Sequence, residues 1–389
     1  MLFQTIERNK NCYGFYADGN INIDLLPTRP SQTWDYTHLC DENTELAKIY
    51  CEGKNFLEAC PEELKEEANQ SFEKLKAFMR SLIYAKVDLE VNCFYDLLPE
   101  KVLLEHFEIR NKITKHVLEN HKKPDNYKHL RNASELIFNI QQNKLKIDLD
   151  VIKNKLPNPK AQRFLKAHYP NKINYHLFGA VTGRLTLDKT SFPILNLDKD
   201  LRDCLKPNNH RFVELDYNSA ELRVLLALCG KHQPDIDLHE WNAKHIFGGK
   251  FDRAKAKQKI FSWLYDTKTD VLAEQIYDKE LIIKNHWDGN EVETVYKRKI
   301  KCDKDHAVNY VIQSTASDLV LEQAYKIHKL LSGKKSYVAF YLYDSIVLDF
   351  HFDDLALLKQ VADTFADTRF GKFLTNVSVG KNYGEMRKQ

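Results

Sequence analysis

Phe212-Val213-Glu214-Leu215-Asp216-Tyr217-Asn218-Ser219-Ala220-Glu221-Leu222-Arg223 changes its hydrophobic period halfway along. Residues 212–216 read as a short strand that ends on a carboxylate. Leu222, Leu225, Leu226 and Cys229 then share one stripe of a helix predicted over 219–228. Taken alone, Asp216 reads equally well as the cap of that helix. A second carboxylate near the C-terminus changes the balance. Residues 336–342 and 346–352 read as two strands, with Tyr343-Asp344-Ser345 at the bend between them. An Asp at a bend is ordinarily a turn residue. Here the flanks on both strands are apolar, so Asp344 would be the only charge on a buried ridge, which costs energy unless a cation compensates. A carboxylate at a strand end and another at a hairpin tip can meet above one sheet. Asp349 and Asp353, further along, are expected to face solvent.

Between these two carboxylates lie two further patterned segments. Arg253, Lys257, Phe261 and Tyr265 recur every four residues. Such steps keep all four side chains on one slowly drifting helix face over about 18 Å. Two cations followed by two aromatics suit a polyphosphate that carries a base; the plainer alternative is buried rings and solvated cations. Asn309-x3-Gln313-Ser314-Thr315-Ala316-Ser317-Asp318 opens a helix expected to reach about Leu331. Its small residues admit a close neighbour, and Asn309 and Gln313 could hydrogen-bond to base edges. A simple capped helix start is the other reading.

The chain has 389 residues, 43% hydrophobic and 29% charged, with a net charge of +3. That length predicts two or three compact units. Charge this small says little about a polyanionic partner, although Lys244, Lys250, Arg253, Lys255, Lys257 and Lys259 crowd together. No window approaches the ~20 apolar residues of a membrane span, and Met1 to Arg8 shows no secretory pattern. The eight scattered cysteines form no CxxC pair and read as reduced thiols of a cytoplasmic protein, host cytoplasm if the source is viral. Helices are predicted over 62–83, 99–120 and 127–142, with mixed α/β structure from about Asn171.

Taken in order, these elements resemble the family A DNA polymerases, the family of bacterial DNA polymerase I and many phage replicative enzymes, here in a compact form. The resemblance spans roughly residues 135–389. It starts at Asn143-Lys144-Leu145-Lys146-Ile147-Asp148 and strengthens at Thr182-Gly183-Arg184-Leu185-Thr186, similar to the family's TGRLS. Asp216 to Arg223 matches DYxxxELR, Arg253 to Tyr265 matches RxxxKxxxFxxxY, and Asn309 to Asp318 resembles NxxxQGTAAD. Val377-Ser378-Val379-Gly380-Lys381-Asn382-Tyr383 is similar to the terminal strand.

The resemblance implies an α/β (α+β) fold shaped as a right hand, with an accessory domain over 1–107, a helical linker and reduced thumb over 108–181, palm over 182–229, fingers over 230–305 and palm again over 306–389. It implies that Asp216, Asp344 and the Tyr217 carbonyl hold two Mg²⁺ ions, with Mn²⁺ as an alternative. Lys257 would protonate pyrophosphate, and His239, Arg253 and Lys257 would grip the triphosphate. Phe261 and Tyr265 would line the sugar and base pocket, and Glu221 would exclude a ribose 2′-hydroxyl. Thr182, Arg184, Asn309 and Gln313 would meet the primer-template. The partners implied are primer-template DNA and dNTPs, together with a processivity factor or a separate exonuclease, and no membrane.

Several positions depart from the family. Tyr343-Asp344-Ser345 replaces the usual His-Asp-Glu, Ser262 and Asp266 stand at customary glycines, and Asp305 stands at a customary arginine. Asp88-Leu89-Glu90 is the only DxE-like pair before the polymerase region, so no 3′–5′ exonuclease is expected. Two rival readings remain: a single-subunit phage-type RNA polymerase, which also places Ser after its second Asp but lacks a counterpart of Glu221, and a non-catalytic DNA-binding remnant.

Overall fold

The computed structural model describes residues 1–6, 14–23, 25–27, 31–89, 91–265 and 270–389, which fall into two compact units, Met1–Phe138 and Asn139–Gln389. Asp266 and Glu90 lie outside the described residues.

In the N-terminal unit, β1 (Gln4–Thr5), β2 (Gly14–Ala17) and β3 (Asn20–Ile23) form an antiparallel sheet in that order. Helices α1 (Lys65–Tyr84) and α2 (Glu100–Asn120) lie within this unit, and α3 (Tyr127–Gln142) runs across its end at Phe138. Pro99 takes the N-cap of α2, where its missing N–H costs nothing. The predicted boundary at 107 falls inside α2. Ile109, Ile113 and Val117, beyond that point, pack with Trp34 and Ala47 in the same core, so the unit runs on to Phe138. Cys93 is disulfide-bonded, contrary to the expectation of thiols throughout.

The second unit begins with two short helices, α4 (Leu149–Lys153) and α5 (Pro159–Ala167), capped by Asp148 and Asn158. Next come β4 (Arg211–Tyr217), α6 (Ala220–Leu228), α7 (Leu238–His245) and α8 (Arg253–Tyr265). A small hairpin, β5 (Glu291–Glu293) with β6 (Lys299–Lys301), leads to the long helix α9 (Lys304–Leu330). The chain finishes with β7 (Tyr337–Leu342), β8 (Ser345–Phe350), α10 (Leu358–Ala366), β9 (Thr375–Gly380) and β10 (Arg387–Lys388). Strands run β7-β8-β4-β9-β10 across one antiparallel sheet, against which α9 and α10 pack.

Two expectations are corrected in this unit. Helix α9 starts at Lys304, not near Asn309, because Asp303 caps it through the His306 N–H. Asp305 therefore sits in the first turn, where a negative charge is favoured. Asp349 does not face solvent: it is 2% exposed and accepts from Asn208 N (2.6 Å), Asn209 N (2.9 Å) and the Tyr337 hydroxyl (3.0 Å). Strand β8 is central and buried on both faces, so its side-chain alternation does not separate core from solvent. Asp353 is exposed as expected.

Candidate active site

The two carboxylates come together because of sheet register. Asp216 is the partner of Ser345 across β4 and β8, which puts it beside the hairpin corner that carries Asp344. The backbone closes the same corner, with Tyr217 N–H donating to the Asp344 carbonyl at 3.3 Å. Tyr343 turns that corner at φ +49°, a left-handed conformation that strains a non-glycine residue. Ser219, at φ +59°, makes the second sharp turn of the site, from β4 into α6. Both strained residues flank carboxylates, where such strain commonly gathers.

Both carboxylates are harder to ionise than usual. Burial raises Asp216 to about 7, aided by the negative charges of Asp344 and Glu214, while the Asn376 amide, donating at 3.2 Å, works the other way. Burial likewise raises Asp344, and the charge of Glu221 adds to it against Arg184 and Lys257. A pair of this kind favours a nearby positive charge. Among the described residues, no group of three or more His, Cys, Asp or Glu side chains is arranged to hold a metal ion. Two carboxylates and a carbonyl still fit Mg²⁺, which keeps several waters and takes the rest of its shell from substrate phosphates.

A cleft of about 450 Å³ opens over the pair, and Arg253, Lys257, His239 and Phe261 line it too. Helix α8 turns Ala256, Ile260, Trp263 and Leu264 into the core. Of the four at four-residue spacing, Arg253, Lys257 and Tyr265 are exposed, while Phe261 is half-buried and packs against that core as well as lining the cleft. Burying side chains of this size contributes about 1.5–3 kcal/mol each. Phe261 and Tyr265 stack with centroids 5.9 Å apart and planes 6° from parallel. Arg253 reaches Asp237 at 2.7 Å, the residue that also caps α7. Burial would raise Asp237, but bonds from Arg253, the α7 backbone and Asn218 outweigh it and hold the carboxyl well below the usual range. His239 is 2% exposed, and burial with the Lys257 charge lowers it to about 4, so its ring is neutral.

Glu221 lines the cleft and is bound from two sides. One oxygen pairs with Arg184, and the other accepts from the Tyr265 hydroxyl. Arg184 also lies over the Tyr343 ring at 5.9 Å. Gln313 lines the cleft from α9, whereas Thr182, Asn309 and Tyr265 do not. Thr182 is buried, and Asn309 sits one turn before Gln313.

Sequence reading missed four contributors. Asn376 holds Asp216, and Asn218 joins Asp237 at 2.7 Å. Ser317 donates to the Gly183 carbonyl at 3.1 Å. Glu214 Oε1 accepts from the Ser345 hydroxyl at 3.4 Å. Only Glu214 carried a signal, since it lies two residues from Asp216 and strand alternation places both on one face.

The chain is 24% identical over 312 residues to DNA polymerase I of Chloroflexus aurantiacus, a match covering 65% of this chain and 32% of that protein. The chain thus spans about a third of the length of that relative. Its fold matches the POL domain of Pol1 from M. smegmatis, solved in complex with DNA primer-template and dNTP, with a TM-score of 0.64 at 11% identity. That match covers 91% of this chain and 86% of the other. No family profile matches the chain. The fold is therefore that of a polymerase domain, and the likeness to DNA polymerase I extends to the sequence. Among the described residues, no helix is long and apolar enough to cross a membrane.

Proposed function

We propose that this chain is a template-dependent DNA polymerase, extending a primer 3′-hydroxyl with dNTPs in the manner of the family A enzymes it resembles. One observation carries this reading: two like-charged carboxylates, one from a strand end and one from a hairpin corner, share a cleft with Arg253 and Lys257. Asp216, Asp344 and the Tyr217 carbonyl would hold two divalent cations, Mg²⁺ or Mn²⁺. When bound, such ions supply acidification of the primer hydroxyl and charge for the triphosphate.

The protein's own side chains do the rest. Lys257 stands free of any carboxylate among the described residues, so its ammonium can both grip phosphate and give a proton to leaving pyrophosphate. Arg253 is already paired with Asp237, so it grips phosphate by sharing or exchanging that partner. Neutral His239 can donate one hydrogen bond to a phosphate oxygen without adding charge. Phe261 offers an apolar face to sugar and base. Glu221, held by Arg184 and Tyr265, would block a ribose 2′-hydroxyl by clash and an unfavourable polar contact. Arg184, Gln313, Asn309 and Thr182 would contact the primer-template.

In this reading residues 182–229 and 306–389 form the palm, 230–305 the fingers, and the short helices α4 and α5 a reduced thumb. So small a thumb would leave the enzyme dependent on a partner, or on its own preceding helices, for processivity. The N-terminal unit would carry no proofreading activity. Glu221 favours DNA over RNA synthesis, and the retained carboxylates and cations argue against a non-catalytic remnant. Primer extension with dNTPs or rNTPs, comparing wild type with Asp216→Asn, decides among the three. Absence of extension with any divalent metal would sink the enzyme reading.

A further inference from the structure

Gly183 stands at φ +76° in the turn before Arg184, and a β-carbon there would come within 2.5, 2.6 and 2.8 Å of Nη2, Cζ and Nε of Arg298. Three such similar distances mean that the guanidinium lies broadside against the glycine. It is fixed in that plane by two bonds to Asp318 of α9, Nη2 to Oδ1 at 2.7 Å and Nε to Oδ2 at 3.1 Å. Asp318 is fully buried, and Arg298 is 11% exposed. The hairpin holds Arg298 from behind, with its N–H on Thr294 Oγ1 at 3.2 Å and its carbonyl accepting from Thr294 N at 2.9 Å. The opposite side of the turn is fixed too, since Gly183 O accepts from Ser317. Arg184 follows directly and reaches Glu221.

A buried ion pair is weak evidence for stability, because two apolar side chains would serve as well or better. A flat, rigid fork does something apolar groups cannot: it sets the height and tilt of the turn that lies on it. We propose that Arg298 is a positioning residue, a plate beneath Gly183 that places Arg184 and, through it, the Glu221 carboxylate that selects the sugar. The inference rests on the polymerase reading above and assigns that site a support outside the cleft.

The test compares wild type, Arg298→Lys and the double variant Arg298→Met/Asp318→Leu. Lysine keeps the charge opposite Asp318 but loses the plate, and the double variant removes both charges so that neither is buried alone. Folding is checked by circular dichroism and melting. KM, kcat and the ratio of dNTP to rNTP incorporation are then measured. With the fold retained, the ratio should fall between roughly ten- and a hundred-fold, with dNTP KM rising more than kcat falls. Lysine should not rescue it. An unchanged ratio in a folded Lys or double variant overturns the role of Arg298 while leaving the polymerase reading intact. No extension by the wild type overturns the polymerase reading and this inference together.

Discussion

Asp216 lies across from Ser345 in the sheet, one residue away from Asp344, the carboxylate it has to meet. The hairpin corner at Tyr343 makes up that offset, so two acids from a strand end and a loop tip share one cleft without sharing a register position. Their proximity is costly while no cation is bound. Asp216→Asn or Asp344→Asn should therefore abolish primer extension by at least about a thousand-fold, equivalent to roughly 4 kcal/mol. In metal-free buffer the same variants should be more stable than wild type, because one of two like charges in the cleft is removed. Urea unfolding checks the second outcome, and destabilised variants would show that the carboxylates serve the fold instead.

Divalent cations should reverse that penalty. Mg²⁺ or Mn²⁺ at a hundred times its dissociation constant adds about 2.7 kcal/mol to a protein that binds it only when folded. Wild type should melt higher with the ion and return to its metal-free temperature after chelation. The Asp216→Asn/Asp344→Asn double variant should not respond. An equal shift in both would place the ions elsewhere.

Phe261 sets an apolar ring in a cleft rich in charge. A tyrosine there would offer a hydroxyl to a nucleotide that lacks its own 3′-hydroxyl. One such hydrogen bond contributes about 1–3 kcal/mol. Phe261→Tyr should raise dideoxynucleotide incorporation by roughly five- to a hundred-fold, read as chain termination on a sequencing gel. Unchanged discrimination would mean that α8 does not face the sugar.

The periodicity of α8 was legible because that helix has one buried face and one open face. In α8, Ile260, Trp263 and Leu264 turn inward while Lys257 turns outward and Phe261 lies half-buried at the edge, and the sequence carries the contrast between the apolar and charged positions directly. Strand β8 has no open face, so Asp349 looked like a solvent-facing residue and is a buried acceptor instead. The start of α9 was misplaced because the small-residue run at 314–317 outweighed the cap at Asp303. Arg298 could not be read at all. Its contact with Gly183 joins segments more than a hundred residues apart, and nothing in its immediate neighbours marks it.

Asp349 offers a separate test of the sheet. Removing its carboxylate leaves the Asn208 and Asn209 N–H groups and the Tyr337 hydroxyl without an acceptor. Asp349→Ala should cost about 2–4 kcal/mol. Extension per folded molecule should be preserved, since Asp349 lies outside the cleft lining. A denaturant midpoint equal to that of wild type would show those donors satisfied some other way.

His106 sets an acid limit on the N-terminal unit. It is 3% exposed, with its Nδ1 3.1 Å from the Ser71 hydroxyl and its ring edge-on to Phe72 and Phe107. Burial, with the nearby Arg110 charge, lowers it to about 3. An unfolded histidine titrates near 6.5. Between those values the unfolded chain binds the proton and the folded chain does not, so stability rises with pH across the window. The contribution is complete above about pH 6.5 and is lost as the pH falls towards 3. At pH 5 the loss should be roughly 2 kcal/mol relative to pH 7.5. His106→Leu should remove that part of the slope, whatever it does to stability at neutral pH. Urea unfolding of wild type and variant at both pH values measures it, and parallel slopes would mean that His106 takes up its proton in the folded state as readily as in the unfolded chain.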